Sequence, residues 1–300
     1  MKVTVFGAGA VGCYYGGMLA RAGHDVEFIG RASHVNAINA KGLFLDTQKF
    51  KEHVPATAAV DTKAMSAPEL VLVTVKSTDT EAAALSLRGK LSSSTMVLSL
   101  QNGVDNADRL SDLLGGYPVS PTIVYVGAEM AGAGHVKHYG RGELVIAQSP
   151  TSDTVSKIFS RAGVPVSVDS DISKALWIKL IYNCAYNALS AVGNIRYRLM
   201  LETEGTKDVM TSAIHECVAV ASACGVSIEE DIVEKVLALV DSMPEQKSST
   251  AQDFMHNRPS EIDYLNGFVV RKGREFNIPT PTNQALQVAV KLVETGRQNA

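Results

Sequence analysis

The stretch Gly7-Ala8-Gly9-Ala10-Val11-Gly12 has the spacing G-x-G-x-x-G, between an apolar run at residues 3–6 and a helical pattern over residues 11–22. In such a turn the first glycine permits the tight bend, the second lets the backbone approach a pyrophosphate, and the third lets the helix pack on the strand. The phosphates then face the N–H groups at the positive end of the helix. On the first strand of an α/β chain this spacing predicts a dinucleotide site, and a glycine-rich turn without a ligand is the less favoured alternative.

The second predicted strand, residues 25–29, indicates which dinucleotide is bound. An NAD site usually ends this strand with Asp or Glu on the ribose diol. Here the strand is followed by Gly30 and Arg31, and Glu27 lies nearer its middle. A guanidinium forms bidentate bonds to phosphate oxygens, so Arg31 suits a 2′-phosphate. These residues favour NADP over NAD, the alternative being that Arg31 is an ordinary solvated arginine.

The composition narrows the class of protein. A chain of 300 residues with 46% hydrophobic residues predicts two domains with ample cores. A formal net charge of -3 argues against nucleic acid as a partner. No segment reads as a signal peptide or a membrane span, so a cytoplasmic enzyme is expected. The four cysteines lack metal-ligand spacing, and neither a metal site nor a disulfide is predicted.

The order of predicted elements gives the fold class. Strand-like and helix-like segments alternate in the first half, whereas the chain from about residue 172 reads as helices only. This order predicts an α/β protein with a Rossmann-type dinucleotide-binding domain at residues 1–170 and an all-α domain at residues 171–300. Within this plan we expect one strand over residues 54–59 and short strands at the sheet edge over residues 119–147. Continuous helices are expected over residues 229–242 and 261–276.

A polar stripe marks the first helix of the second domain. Lys179, Asn183, Asn187 and Ser190 interrupt an otherwise apolar segment at spacings that place them in one narrow sector of a helix. A solvated face usually carries few asparagines, because Asn is a poor helix former, so a pocket lining is favoured over a solvated face. Lys179 is the one proton donor of the stripe, and its ammonium can also stabilise a developing alkoxide.

Four further residues are candidates by position. Lys76 and Asn102 each follow a buried strand, and open α/β sheets bind ligands beyond the carboxyl ends of their strands. Ser249 and Glu261 each stand near the start of a predicted helix. Taken alone, these two are better explained as a cap and a first-turn carboxylate.

Taken together, these motifs resemble those of the ketopantoate reductase (2-dehydropantoate 2-reductase) family over essentially the whole chain. The matching pieces are Gly7 to Gly12, Arg31, Val73-Thr74-Val75-Lys76, Gln101-Asn102-Gly103, Trp177-Ile178-Lys179-Leu180-Ile181-Tyr182-Asn183, Ser248-Ser249 and Glu261-Ile262-Asp263-Tyr264-Leu265-Asn266-Gly267. The last two pieces are not shared with most Rossmann enzymes.

The resemblance implies NADPH-dependent reduction of ketopantoate to pantoate. It makes Lys179 the general acid at the C2 carbonyl and Glu261 a residue that tunes it and binds the substrate hydroxyl. It makes Asn183, Asn187 and Ser249 substrate ligands. It also places Asn102 at the junction of nicotinamide and substrate, and makes Arg31 and Lys76 cofactor ligands together with the Gly7 to Gly12 turn.

One departure from the family pattern leaves the substrate open. Many members have a glycine two residues after the Asn-Gly pair, where this chain has Asp105. Asp105 could cap the next helix or alter the wall of the site. The alternatives are a reductase or D-2-hydroxyacid dehydrogenase for another branched 2-oxo acid, and a non-catalytic dinucleotide sensor. The expected partner is a small 2-oxo acid, and the sequence leaves a homodimer open.

Overall fold

The chain divides into two compact units, Met1–Ile172 and Ser173–Ala300. The computed structural model describes residues 1–63, 65 and 67–298. The first unit is a mixed α/β structure and the second is helical, which confirms the predicted fold class.

The first unit is built on a mixed sheet. Its strands are β1 (Lys2–Phe6), β2 (Asp25–Ile29), β3 (Leu43–Asp46), β4 (Lys51–Val54), β5 (Thr57–Ala59), β6 (Leu70–Val73), β7 (Met96–Ser99), β8 (Ser120–Gly132), β9 (His135–Ala147) and β10 (Val166–Asp169). Among the described residues they follow the order β4-β3-β9-β8-β7-β6-β1-β2-β5, and β10 pairs with β9. Strands β2, β1, β6 and β7 are parallel neighbours. All four residues of β6 are buried, as expected for a parallel strand covered on both faces.

Helices cover this sheet and connect its strands. They are α1 (Ala10–Arg21), α2 (Ala32–Lys41), α3 (Thr80–Leu87), α4 (Asn106–Leu113) and α5 (Ser152–Arg161), with a short 3-10 helix at Ser77–Asp79. One apolar core contains Tyr15 of α1 and Phe28 of β2, and a second contains Val71 of β6 and Leu110 of α4. The parallel strands therefore pack against helices in two apolar cores.

Two strand predictions in the first unit were wrong. Residues 54–59 form two strands, because the chain turns at Pro55: β4 pairs antiparallel with β3, and β5 pairs parallel with β2. Residues 119–147 form two long antiparallel strands inside the strand order and not short strands at its edge. Their pairing is antiparallel, and it continues across three register shifts, since bulges take up the glycine-rich positions.

The second unit is helical throughout its described residues. Its helices are α6 (Ile172–Gly193), α7 (Tyr197–Glu202), α8 (Thr206–Ala223), α9 (Ile232–Leu237), α10 (Leu239–Ser242), α11 (Ser249–Met255), α12 (Asn266–Glu275) and α13 (Pro281–Gln298), with a 3-10 helix at Ile262–Tyr264. One core cluster joins Ala188 of α6, Ala213 of α8, Phe254 of α11 and Val290 of α13. In the part of the chain described, no helix is both long and apolar enough to cross a membrane.

Two predicted continuous helices are each broken. Residues 229–242 form α9 and α10, which meet at Ala238. Residues 261–276 form a 3-10 turn and α12, because Leu265 between them has φ -109° and ψ -103°, outside the helical region. Helix α7 was missed by the sequence analysis. The break at Leu265 matters for the site, since it separates Glu261 from α12.

Candidate active site

The glycine turn joins β1 to α1, and its first and last glycines have no room for a larger side chain. Gly7 has φ +121°, and a Cβ there would lie 2.6 Å from the backbone nitrogen of Val75. A Cβ on Gly12 would overlap the carbonyl oxygen of Gly7 and the hydroxyl of Thr74. The Thr74 hydroxyl donates to the Gly7 carbonyl at 2.7 Å. The side chain following β6 therefore fixes the turn at the end of β1.

Gly9 serves a different purpose in the same turn. It is the N-cap of α1, and nothing lies within 4 Å of the position a Cβ would take there. The first turn of α1 carries no acidic side chain that would compete with an anion. A cradle with tight outer glycines and an open middle one, at a helix N-terminus, fits the pyrophosphate of a dinucleotide.

The end of β2 excludes the acidic residue typical of NAD sites. A Cβ on Gly30 would lie 2.5 Å from the Cβ of Ala8, and the Gly30 N–H is held by the Ala59 carbonyl at 3.0 Å. Arg31 follows as the N-cap of α2, and its side chain is exposed. Glu27 lies in the middle of β2 and is half-buried, and this burial raises the pKa of its carboxyl group. Arg31 is thus the charged side chain directly beyond the end of this strand.

A buried polar network holds the turns after β6 and β7 together. Asn106 donates to the Asn102 carbonyl at 2.7 Å and to the Ser77 hydroxyl at 3.0 Å, and Ser77 donates to the same carbonyl at 2.9 Å. The Gln101 side chain donates to Thr80 at 2.8 Å. This network fixes the backbone of Asn102, one of the predicted ligands. The sequence analysis missed Ser77 and Asn106, whose proximity to the two strand ends was the available signal.

Lys76 and Asp105 each directly precede a residue of this network, Ser77 and Asn106 respectively. Lys76 is the N-cap of the 3-10 helix Ser77–Asp79 and is half-buried. Asp105 occupies the N-cap position of α4, yet its carboxylate accepts no cap hydrogen bond from the helix. Its Oδ1 is buried without a hydrogen-bond partner. The suggestion that Asp105 caps α4 through its side chain was therefore wrong.

The polar stripe lies on one continuous helix, α6, and has two different parts. Lys179 and Asn183 are half-buried, whereas Asn187 and Ser190 are buried. Ser190 donates to the Ile195 carbonyl at 2.8 Å and accepts from the Ser248 N–H at 3.1 Å. The stripe is thus not a solvated face along its whole length, and Ser190 has a structural role.

The start of α11 approaches the stripe at Asn187. Ser248 caps α11 by accepting from the Ala251 N–H at 3.1 Å, and it donates to the Asn187 carbonyl at 3.2 Å. This leaves the neighbouring Ser249 side chain to meet the Asn187 amide, which donates to it at 3.4 Å. The structure therefore brings together two of the predicted substrate ligands from different helices, and Ser248 takes the capping role.

Glu261 stands in a turn that is tied to α6. It is half-buried at the N-cap of the 3-10 helix, and its carbonyl accepts from the Tyr264 N–H at 2.8 Å. The turn ends at Asn266, whose amide donates to the Cys184 carbonyl of α6 at 3.1 Å. The sequence analysis assigns no role to Asn266, because its local pattern does not indicate a contact with Cys184, which is distant along the chain.

Both halves of the chain match known sequence families. The family model Ketopantoate reductase PanE/ApbA matches residues 3–151, and the model for its C-terminal domain, Ketopantoate reductase PanE/ApbA C terminal, matches residues 171–294. The chain belongs to the ketopantoate reductase family. The chain is also 32% identical to the 2-dehydropantoate 2-reductase of Vibrio cholerae serotype O1 over 302 residues, with 98% of each protein covered.

Solved structures share the fold over nearly the whole chain. A PanE/ApbA family ketopantoate reductase from Ralstonia eutropha JMP134 is 51% identical, with a TM-score of 0.96, covering 99% of this chain and 100% of that one. A D-mandelate dehydrogenase solved with NADH and anilino(oxo)acetate is 23% identical, with a TM-score of 0.91 and 99% of both chains covered. The second similarity shows that a D-mandelate dehydrogenase has the same fold.

Proposed function

We propose that this protein reduces ketopantoate (2-dehydropantoate) to pantoate with NADPH. Residues 1–170 would bind the cofactor, and residues 171–300 would supply the acid and the substrate ligands. The observation that carries the proposal is the stripe on α6, where half-buried Lys179 and Asn183 precede the Asn187–Ser249 pair at 3.4 Å, in a chain whose family is ketopantoate reductase.

The choice of NADPH rests on the end of β2. The glycine turn Gly7 to Gly12 would hold the pyrophosphate against the first turn of α1. Beyond β2 the tight contact between Gly30 and Ala8 leaves no room for an acidic side chain at residue 30, and exposed Arg31 follows. A guanidinium there favours a 2′-phosphate over a ribose diol. Lys76 and Asn102, at the ends of β6 and β7, would complete the cofactor site.

Held by the Gly7 to Gly12 turn with Arg31, a reduced nicotinamide dinucleotide would supply the hydride that the C2 carbonyl carbon of the substrate needs. As electrons move to the C2 oxygen, the Lys179 ammonium donates a proton to it, so that the product carries a hydroxyl and Lys179 is left neutral. Before transfer, the ammonium also polarises the carbonyl by charge. Glu261 would orient Lys179 and accept the hydrogen bond of the substrate's terminal hydroxyl.

Substrate binding would use amide and hydroxyl groups that the fold has already positioned. Asn187 is only 3% exposed and its side-chain amide donates to Ser249, so its side chain has little freedom. Asn183 lies one helical turn nearer Lys179 on the same face. With Ser249 they offer neutral hydrogen-bond donors to a carboxylate.

Oxidation of NADPH and NADH with a panel of 2-oxo acids tests the proposal directly. Ketopantoate with NADPH should give the highest kcat/KM. Faster turnover of another branched 2-oxo acid would favour the second candidate, a D-2-hydroxyacid dehydrogenase on this scaffold. Asp105 is the observation that favours that candidate. Its Oδ1 is buried without a hydrogen-bond partner, three residues after Asn102, and Asp105 is the one departure from the family pattern that the chain otherwise resembles. Binding of NADPH without turnover of any 2-oxo acid would instead indicate a sensor.

A further inference from the structure

Asn266 is the centre of a buried network in the second unit. Its side chain is fully buried, and its amide nitrogen donates to the Cys184 carbonyl of α6 at 3.1 Å and to Asn283 Oδ1 of α13 at 3.0 Å. Asn283 in turn donates to the Ala213 carbonyl at 3.1 Å and to the Glu216 carboxylate at 2.7 Å, both on α8. The Asn266 side chain thus links the start of α12 to α6 and α13, and Asn283 extends the network to α8.

The Asn266 amide satisfies only one of its two polar atoms. Its nitrogen donates two hydrogen bonds, whereas Oδ1 is buried without a hydrogen-bond partner. An unpaired buried acceptor is destabilising and offsets part of what the two bonds contribute. Turning the amide over would place its oxygen against the Cys184 carbonyl and Asn283 Oδ1, which are both acceptors. The orientation that leaves Oδ1 unpaired is therefore fixed by the bond to α6.

The position of that bond connects the network to the proposed site. Helix α12 touches α6 at two points, Asn266 at Cys184 and Phe268 at Trp177, whose ring centroids are 5.7 Å apart. Lys179 lies between these two points along α6. A ring contact alone permits sliding, whereas a hydrogen bond to one carbonyl fixes the register of α12 along α6.

The same residue ends the turn that carries Glu261. The Tyr264 N–H bonds to the Glu261 carbonyl at 2.8 Å, and the Leu265 N–H bonds to the Ile262 carbonyl at 3.2 Å. The turn is therefore a stiff unit attached to α12. Any shift of α12 along α6 moves Glu261 relative to Lys179.

We infer that Asn266 is a positioning residue, which sets Glu261 against Lys179 through its bond to the Cys184 carbonyl. This inference rests on the proposed function of Lys179 and Glu261. Misplacement of a reacting group by about 1 Å can cost roughly a hundred-fold in rate, even when the substitution is remote. Asn266→Ala should therefore lower kcat by at least about ten-fold, while the Kd for NADPH stays unchanged.

Glu216→Gln provides a matched control within the same network. The Glu216 carboxylate accepts from the backbone N–H groups of Thr282 at 2.8 Å and Asn283 at 2.9 Å, so the substitution loosens the start of α13. It does not touch the bond between Asn266 and Cys184. The two variants, Asn266→Ala and Glu216→Gln, are compared at a similar loss of Tm and assayed well below the Tm of each. Under these conditions Glu216→Gln should keep kcat within about two-fold of the wild type.

Asn266→Asp keeps the shape of the side chain and provides a second test. This test still applies if Asn266→Ala does not fold. Burial raises the pKa of a carboxyl group, and only its protonated form can donate to the Cys184 carbonyl. The kcat of this variant relative to wild type should rise as the pH falls. A flat ratio, or equal kcat losses in Asn266→Ala and Glu216→Gln, would overturn the inference. A wild type that reduces no 2-oxo acid would instead contradict the proposed function.

Discussion

Gly30 stands so close to Ala8 that a Cβ on residue 30 would lie 2.5 Å from the Ala8 Cβ. Ala8 belongs to the glycine turn, and Gly30 directly follows β2. The tight contact joins the proposed pyrophosphate-binding turn to the end of β2. A carboxylate at residue 30 would push the two turns apart, so in the proposed function the choice between NADPH and NADH falls to Arg31.

Arg31→Ala should therefore weaken NADPH binding and leave NADH binding nearly unchanged. The loss of a charge-assisted hydrogen bond costs about 1.5–3 kcal/mol, which corresponds to roughly ten- to a hundred-fold in Kd for NADPH. Fluorescence titration of both cofactors measures the effect. Arg161→Ala, which removes an exposed arginine at the end of α5, is the control for charge alone. Equal losses for NADPH and NADH would show that Arg31 does not bind the 2′-phosphate.

Lys179→Ala should lower kcat by roughly a hundred-fold or more, because proton transfer to the C2 oxygen loses its donor. NADPH should still bind with near-normal affinity, as measured by titration. Lys174→Ala is a suitable control, since Lys174 lies earlier on α6 and pairs with Glu229 at 2.6 Å. Retention of most of the turnover in Lys179→Ala would remove Lys179 from the chemistry.

Much of the first unit could be predicted because its signals are local. Gly7 to Gly12, the buried run of β6 and the alternation of strands and helices are all visible in short windows of sequence. The long pairing of β8 with β9 could not be predicted, since its register shifts depend on which residues oppose each other across the hairpin.

The proposed site in the second unit also depends on contacts between distant residues, which local sequence patterns do not predict. The spacing of the α6 stripe correctly predicts a shared face, but not that Ser190 is held by Ile195 and Ser248. The helical pattern over residues 261–276 hides the break at Leu265. That break accompanies contacts of Asp263 with α13 and of Asn266 with α6, which are distant in sequence. Long-range pairing overrides local propensity at such positions.

Asp263 should make stability depend on pH. Burial raises the pKa of its carboxyl group, but hydrogen bonds from Lys291 and Gln287 outweigh that effect, so the pKa is lowered. Lys291 lies 2.9 Å from the carboxylate, and both side chains are about half exposed, at 51% and 44%. A lowered folded-state pKa stabilises the protein above the unfolded-state pKa of about 3.9, and that contribution is lost as the pH falls through the folded value.

Asp263→Asn should therefore reduce the free energy of unfolding by no more than about 1 kcal/mol at neutral pH, the range for an exposed pair. The difference from wild type should shrink toward zero as the pH is lowered below about 4. Urea unfolding at several pH values measures it. Asp241→Asn, at an exposed position of α10, is the control for the loss of one negative charge. A difference that grows in acid would contradict the proposed role of the Lys291 pair.

The substrate prediction concerns the acceptor offered by Glu261. Ketopantoate has a carboxylate, a C2 carbonyl, a quaternary carbon and a terminal hydroxyl, and 2-oxoisovalerate lacks that hydroxyl. A carboxylate without the hydrogen bond it is placed to accept loses more free energy than the bond supplies. Ketopantoate should exceed 2-oxoisovalerate by at least about ten-fold in kcat/KM, and Glu261→Gln should narrow the ratio. If a plain 2-oxo acid is the better substrate, the ketopantoate assignment fails, and Asp105→Gly then tests whether the Asp105 carboxylate, three residues after Asn102, sets the preference.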